Sequence, residues 1–406
     1  MRRLLLLLPI LLLPFPAAAQ DALKIRTVTA FVPFDPLRSE ATLEETAAFL
    51  ERARAEFRAA GFEVETLRLA TPPLAGYLDR VLLAERLDFF LRLDRWAAER
   101  GLVVSLGPAV VDDTYDPARI EFVVQLLEHS RALHTSVIIA DETGARPNAL
   151  RAAAAIIRRL GEKPAKEPLG FRFAALARCP PGIPFFPAAY ADGKQREFAL
   201  GLESAGVMAA AVRGDADLAT KRIRLRAAME GPVQRIENAA LALARESGWS
   251  YLGIDPSPAP LGGASIAAAI ESLAGQPLGS PGTLAAVGTL TGFVQTLPVR
   301  RAGFSGLMLP VLEDRVLAER VAEGRVGLSQ LLAYSAVCGT GLDTVPLPGA
   351  AATEQLERVL ADVATLAVRL RKPLTARLLV VAGKRAGERT EFDSPWLTNT
   401  VILPLE

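Results

Sequence analysis

Apolar and polar residues alternate over residues 25–32, the two-residue period of a strand. Over 42–60 the spacing becomes helical, with Leu43, Ala47, Leu50, Ala53 and Phe57 on one side. Thr42 with Glu45 three residues later predicts a capping box, and Gly61 a C-terminal stop. The pattern then repeats. Strands are expected over 62–69, 102–106, 136–140 and 171–177, and helices over 78–100, 118–130 and 148–160.

The second half opens with helical spacing over 196–212 and 220–247, followed by a strand over 251–254. Helices are expected over 264–274, 283–296, 314–322, 328–337 and 353–370, with Thr353 as N-cap of the last. Short extended segments fall at 306–309, 344–347 and 376–381. The run CPPGIPFFP at 179–187 cannot be regular structure, because each proline removes a donor and fixes φ. Strands alternating with helices predict an α/β fold with mostly parallel strands. Residues 20–406 read as a single large α/β domain, with the polar stretch 161–170 as a candidate subdomain boundary.

The first 19 residues follow a different logic. Arg2 and Arg3 precede an apolar run over 4–13, and Ala17, Ala18 and Ala19 supply a small-residue cleavage site. This is the order of a signal peptide, so export to the periplasm or the extracellular space is expected, with cleavage after Ala19. The apolar run is shorter than the roughly 20 residues that span a bilayer, and no stable membrane anchor is expected.

Charge narrows the partners. The chain carries 46 Lys+Arg against 45 Asp+Glu, and losing Arg2 and Arg3 turns the net charge slightly negative. That balance argues against nucleic acid or an anionic membrane as main partner. The two histidines, His129 and His134, fall where a helix ends and a loop begins, and read as surface or cap residues. With the two cysteines, Cys179 and Cys338, far apart, no familiar transition-metal site is expected. Those cysteines are either a disulfide closing a long loop or two buried thiols.

Four segments could carry chemistry. GIDPSPAP at 253–260 leaves a strand for a helix, where open α/β sheets bind ligands, and offers Asp255 and Ser257, with Ser265 at the next helix start. Gly282 and Thr283 open another helix, whose free amides can hold an anion. CGTGLD at 338–343 presents Cys338 and Asp343, and KPLTAR at 372–377 presents Lys372 and Arg377. Each also has a plain reading as a loop, a helix cap or a solvated helix end.

The segments GIDPSPAP, GTLAAVGTLT, GFSGLMLPVLED, CGTGLDTVPLPG and KPLTARLLVVAGKRAGERTEFDSP resemble the domain-of-unknown-function 711 family, also called the UPF0210 proteins. The resemblance implies a fold similar to glycyl radical enzymes, a barrel-like arrangement of parallel strands wrapped by helices. No glycyl-radical motif is present, so the radical chemistry is not implied.

These readings converge on an enzyme, or enzyme-like protein, acting on a small anionic metabolite. Asp255 and Asp343 would be the acid/base candidates. Ser257, Ser265, Gly282, Thr283, Lys372 and Arg377 would be the binding candidates. A non-catalytic solute-binding protein and a structural or oligomeric protein are the alternatives. The cofactor is left open, as is homo-oligomerisation.

Overall fold

The structure, a computed structural model, describes residues 23–405. The expected signal segment therefore lies outside the described residues, apart from which the chain forms one nine-stranded sheet. Strands β1 (Lys24–Phe31), β2 (Val64–Ala70), β3 (Leu102–Val110), β4 (Leu133–Ala140) and β5 (Phe173–Ala177) run parallel in that order. Antiparallel to β1 lies β6 (Glu197–Glu203), with β7 (Ser250–Asp255) parallel beyond it. On the far side β9 (Leu374–Val381) runs antiparallel to β5 and carries β8 (Gly341–Pro348). Two sets of parallel strands thus run in opposite directions.

The sheet edges β7 and β8 do not pair with each other. The irregular segment 300–314 reaches both. Ile254 donates to the Arg300 carbonyl at 2.8 Å, Ala302 to that of Ile254 at 2.8 Å, and Val311 to that of Asp343 at 3.0 Å. With both edges held by one segment, the strands curl around an interior, which gives the expected barrel-like, mostly parallel arrangement.

Helices cover the outer face: α1 (Glu40–Ala59), α2 (Arg86–Glu99), α3 (Pro117–His129), α4 (Pro147–Leu160), α5 (Ala205–Val212) and α6 (Leu218–Ser247), then α7 (Ile266–Ala274), α8 (Thr283–Gln295), α9 (Arg315–Ala322), α10 (Leu328–Ser335) and α11 (Thr353–Leu370). Their apolar stripes meet the outward-facing strand residues, such as Ile25, Val28, Leu67, Leu69 and Val104, in one continuous core.

Several elements depart from the sequence pattern. Helix α1 begins at Glu40, so Thr42 lies inside it, and its carbonyl accepts from the Thr46 hydroxyl at 2.6 Å. The stretch before α2 forms short 3-10 turns, and α2 itself starts at Arg86. Ala352, not Thr353, caps α11. Residues 197–203 form strand β6, and α5 begins only at Ala205. That strand, EFALGLE, is buried on both faces and contains no β-branched residue, so neither period nor propensity marks it. His134 is the second residue of β4, and its side chain is buried at 9 % exposure, contrary to the surface reading.

The interior is filled by chain. The proline-rich run enters it after β5. There the Thr29 hydroxyl donates to the Pro184 carbonyl at 2.7 Å, and the Ser105 hydroxyl to that of Ala189 at 2.6 Å. Phe185 lies so close to β6 that a Cβ on Gly201 would sit 2.7 Å from its ring. Phe304 and Met308, from the edge-spanning segment, pack against Phe185, Cys179 and Ile183 in a second, smaller apolar cluster. One end of the barrel is left unfilled, at the N-terminal ends of β1–β5.

Candidate functional site

The unfilled end holds a cavity of about 190 Å³. Inward-facing residues of six strands supply part of its wall: Arg26, Thr66, Arg68, Val103, His134, Ala174, Thr375 and Arg377. Residues 185–188 floor it, Phe304, Met308 and Glu313 come from the edge-spanning segment, and Trp396 comes from the C-terminal tail.

Three guanidinium groups reach this cavity, and they differ in their partners. Arg377 donates from Nε to Asp343 at 2.6 Å and from Nη2 to Glu313 at 2.5 Å, with Phe171 stacked 4.6 Å away. Burial opposes its charge, but Asp343 and Glu313 outweigh that and hold its proton more firmly than usual. Arg26 donates to Glu65 at 2.9 Å and to Glu203 at 3.1 Å, lies 3.6 Å from Glu313, and sits under the Trp396 ring. Arg68 has no carboxylate within salt-bridge distance among the described residues. Its Nε donates to Thr66 at 3.1 Å, and its guanidinium lies 5.0 Å from the Phe186 ring.

Burial and the neighbouring Arg26 both disfavour the Arg68 charge, and its pKa is lowered. Guanidinium nonetheless stays protonated in proteins. The lowering therefore marks a cation short of counter-charge. Arg68 keeps part of its surface accessible, as a cavity-wall residue does.

Among the buried polar side-chain atoms without partners in the described residues, two belong to residues of this wall: Nδ1 of His134 and Oγ1 of Thr340. Burial, reinforced by Arg172, Arg68 and Arg377, keeps the His134 ring neutral far below its ordinary pKa. Its Nδ1 is thus an unpartnered polar atom enclosed behind the wall.

Behind Arg26, Glu203 accepts from its guanidinium at 3.1 Å. Burial, with the Glu65 carboxylate beside it, pushes the Glu203 carboxyl up to about 8. Its ordinary value is 4.5. Between those values the folded chain holds a proton that the unfolded chain has lost, so stability falls as pH rises through that window. The contribution is complete below pH 4.5 and gone above pH 8. Urea melts of wild type and Glu203→Gln at pH 5 and pH 8 are expected to differ accordingly. The variant should gain about 3–4 kcal/mol on wild type between the two, given about 1.4 kcal/mol per pH unit.

The residues expected from sequence separate into two groups. Asp343 and Arg377 line the cavity, paired with each other. The others do not line it. The Asp255 carboxylate is fully enclosed and accepts from Ser257 N at 3.0 Å, Ser257 Oγ at 2.6 Å, Phe304 N at 2.6 Å and Ser305 N at 3.0 Å. Burial pushes it up to about 6 despite those donors. Asp255 thus anchors the edge-spanning segment to β7, and Ser257 continues the anchor by accepting from Gly306 at 3.1 Å. Ser265 caps α7 at Ala268 and donates to Asp314 at 2.5 Å. Gly282 takes the left-handed cap position of α8 at φ +95°, and the Thr283 hydroxyl bonds locally to Ser280 at 2.8 Å. Lys372 donates to the carbonyls of Ser335 and Cys338 after α10, where the negative helix end favours a cation. Cys179 and Cys338 are both free and buried. Cys338 lies with Lys372 in a different depression from His134.

A family model described as "Uncharacterised ACR (DUF711)" matches residues 18–393. The chain belongs to the DUF711 family. A UPF0210 protein of Pyrobaculum arsenaticum is 32% identical over 344 residues, which cover 81% of this chain and 76% of that protein. A UPF0210 protein of Desulforudis audaxviator is 30% identical over 349 residues, covering 82% and 77%. The anaerobic ribonucleotide reductase of Thermotoga maritima, solved with dATP and CTP, shows a TM-score of 0.38 and 8% identity over 89% of this chain and 77% of its own. That distance carries no chemistry across.

Within this DUF711 chain, the wall residues that sequence reading missed are Arg26, Arg68, His134, Glu313 and Trp396. For the first two it is the sheet that reveals their place. Each is a cation on the polar side of an alternating strand that lies between two others in the sheet.

Proposed function

We propose that this protein binds a small anionic metabolite inside the barrel and acts on it as an enzyme or enzyme-like protein. The observation that carries this reading is Arg68, a cavity-wall guanidinium with no carboxylate partner among the described residues. An incoming anion would supply the missing counter-charge, and a guanidinium fork is suited to oxyanions. The His134 and Thr340 side chains stand on the same wall and would shape the space around the bound molecule.

One observation favours the alternative of a binding protein without turnover. Both acids of the wall, Glu313 and Asp343, are held by Arg377, so neither is a free base. Following ligand by NMR over hours with purified protein separates the two: loss of substrate signals supports an enzyme, and an unchanged spectrum a binder.

The anion reading has its own test. A charge-assisted hydrogen-bonded contact contributes about 1.5–3 kcal/mol. Arg68→Met is therefore expected to weaken anion binding about 10- to 100-fold. The unliganded variant should melt no lower than wild type, because removing an under-compensated cation from an enclosed site is not destabilising. Thermal-shift titrations of both proteins against short carboxylates and phosphate check this. Equal shifts in both proteins would remove Arg68 from the account.

We further propose export, on the strength of Arg2 and Arg3, the apolar run over 4–13 and Ala17–Ala18–Ala19. Mass spectrometry of native protein should find a chain beginning at Gln20. A retained Met1 would contradict it.

A further inference from the structure

We propose that the cavity's ligand is a small monocarboxylate with an apolar, ring-sized body, and that phosphate esters are disfavoured there. The proposal rests on the anion reading above and makes it specific in charge, shape and size.

Charge comes first. Of the three guanidinium groups, Arg26 and Arg377 each lie within 4 Å of at least two carboxyl groups, which leaves Arg68 as the one without a carboxylate contact. Glu313 and Asp343 stand on the same wall. A ligand with one negative charge meets the one open cation. A second charge, as on a phosphate monoester near pH 7, would face those two acids in an enclosed site, where like charges repel strongly.

Shape agrees. Nε of Arg68 is occupied by Thr66, so Nη1 and Nη2 are the donors left for the ligand. Two donors on one planar group match the two oxygens of a carboxylate. The plane of Arg68 is covered by Phe186, and Phe185, Phe304, Met308 and Ala259 supply apolar lining. A small hydrated ion would leave that lining in contact with water. An apolar body would cover it, at about 25 cal/mol per Å² removed from solvent.

Size sets the limit. A cavity of about 150 Å³ holds benzene, and this one is about 190 Å³. A six-membered ring accounts for most of that volume, and one carboxylate for the difference.

Isothermal titration of the purified protein at pH 7 tests the proposal with four probes of known chemistry: benzoate, cyclohexanecarboxylate, phenyl phosphate and uncharged benzamide. The expected result is that both carboxylates bind at least tenfold tighter than phenyl phosphate and benzamide, and that Arg68→Met removes that advantage. If Arg68→Met fails to fold, Arg68→Lys keeps the charge but loses the fork, and should still cost the carboxylates most of their advantage. Arg68-dependent binding of phenyl phosphate as tight as that of benzoate would overturn the monocarboxylate assignment and leave the anion reading standing. Absence of Arg68-dependent binding by all four probes would overturn both.

Discussion

Replacing Arg377 by methionine is expected to cost the fold about 3–5 kcal/mol, the usual loss when one partner of a buried ion pair is removed. Arg377 is 8 % exposed, and it holds both Asp343 and Glu313 while stacking on Phe171. Without it two carboxylates face each other in an enclosed space. Glu313 is already pushed up by burial, with Asp343 adding to that push. Acid should therefore relieve the Arg377→Met defect, because protonation discharges the stranded carboxylates. Adding Glu313→Gln and Asp343→Asn should recover most of the stability at neutral pH. Urea unfolding of the single and triple variants at pH 5 and pH 8 measures both effects. A triple variant as unstable as Arg377→Met would show that packing on Phe171, not charge, is what the arginine provides.

Asp255→Ala is expected to have a comparable effect for a different reason. It strands the amides of Ser257, Phe304 and Ser305 together with the Ser257 hydroxyl. Each unsatisfied buried donor costs about 1–3 kcal/mol, so a total of about 3–5 kcal/mol is expected after relaxation. The loss should be local before it is global, since these amides belong to the segment that spans the sheet edges. Hydrogen exchange should show Phe304 and Ser305 losing protection while β2 and β3 keep theirs. Gly303→Ala should reproduce the effect: its Cβ would lie 2.0 Å from the Asp255 Oδ2, at a backbone φ of +65°. Uniform loss of protection across the barrel would contradict the anchoring role.

The two variants also show what could be seen in the sequence. The stretch around Asp255 was legible as a special one, because a carboxylate among prolines and glycines at a strand end has few local uses. Its actual use, tying β7 to a segment about 50 residues away, depends on tertiary structure that no local pattern encodes. Arg377 and Asp343 were legible as a charged pair of segments and do meet at the cavity. Arg26 and Arg68 were not. In TLRL the polar positions look like the wet side of a half-buried strand, and only the curling of the sheet around segment 300–314 makes that side an interior. His134 was masked in the same way, by its place directly after a helix and a polar turn. The α/β class was legible because strands such as β1 and β3 and helices such as α4 and α11 keep clean periods. The reversal of direction at β6 and at β9 was not, since strand polarity leaves no periodic mark.

The proposed anion site lies in the barrel interior at Arg68. Diffraction from crystals soaked in bromide, collected at the bromine absorption edge, locates such an anion directly. An anomalous peak is expected within about 4 Å of the Arg68 guanidinium, the range of a close charge contact, and is expected to be absent from Arg68→Met crystals treated in the same way. Bromide found only on the outer surface, with the cavity empty in wild-type crystals, would contradict it.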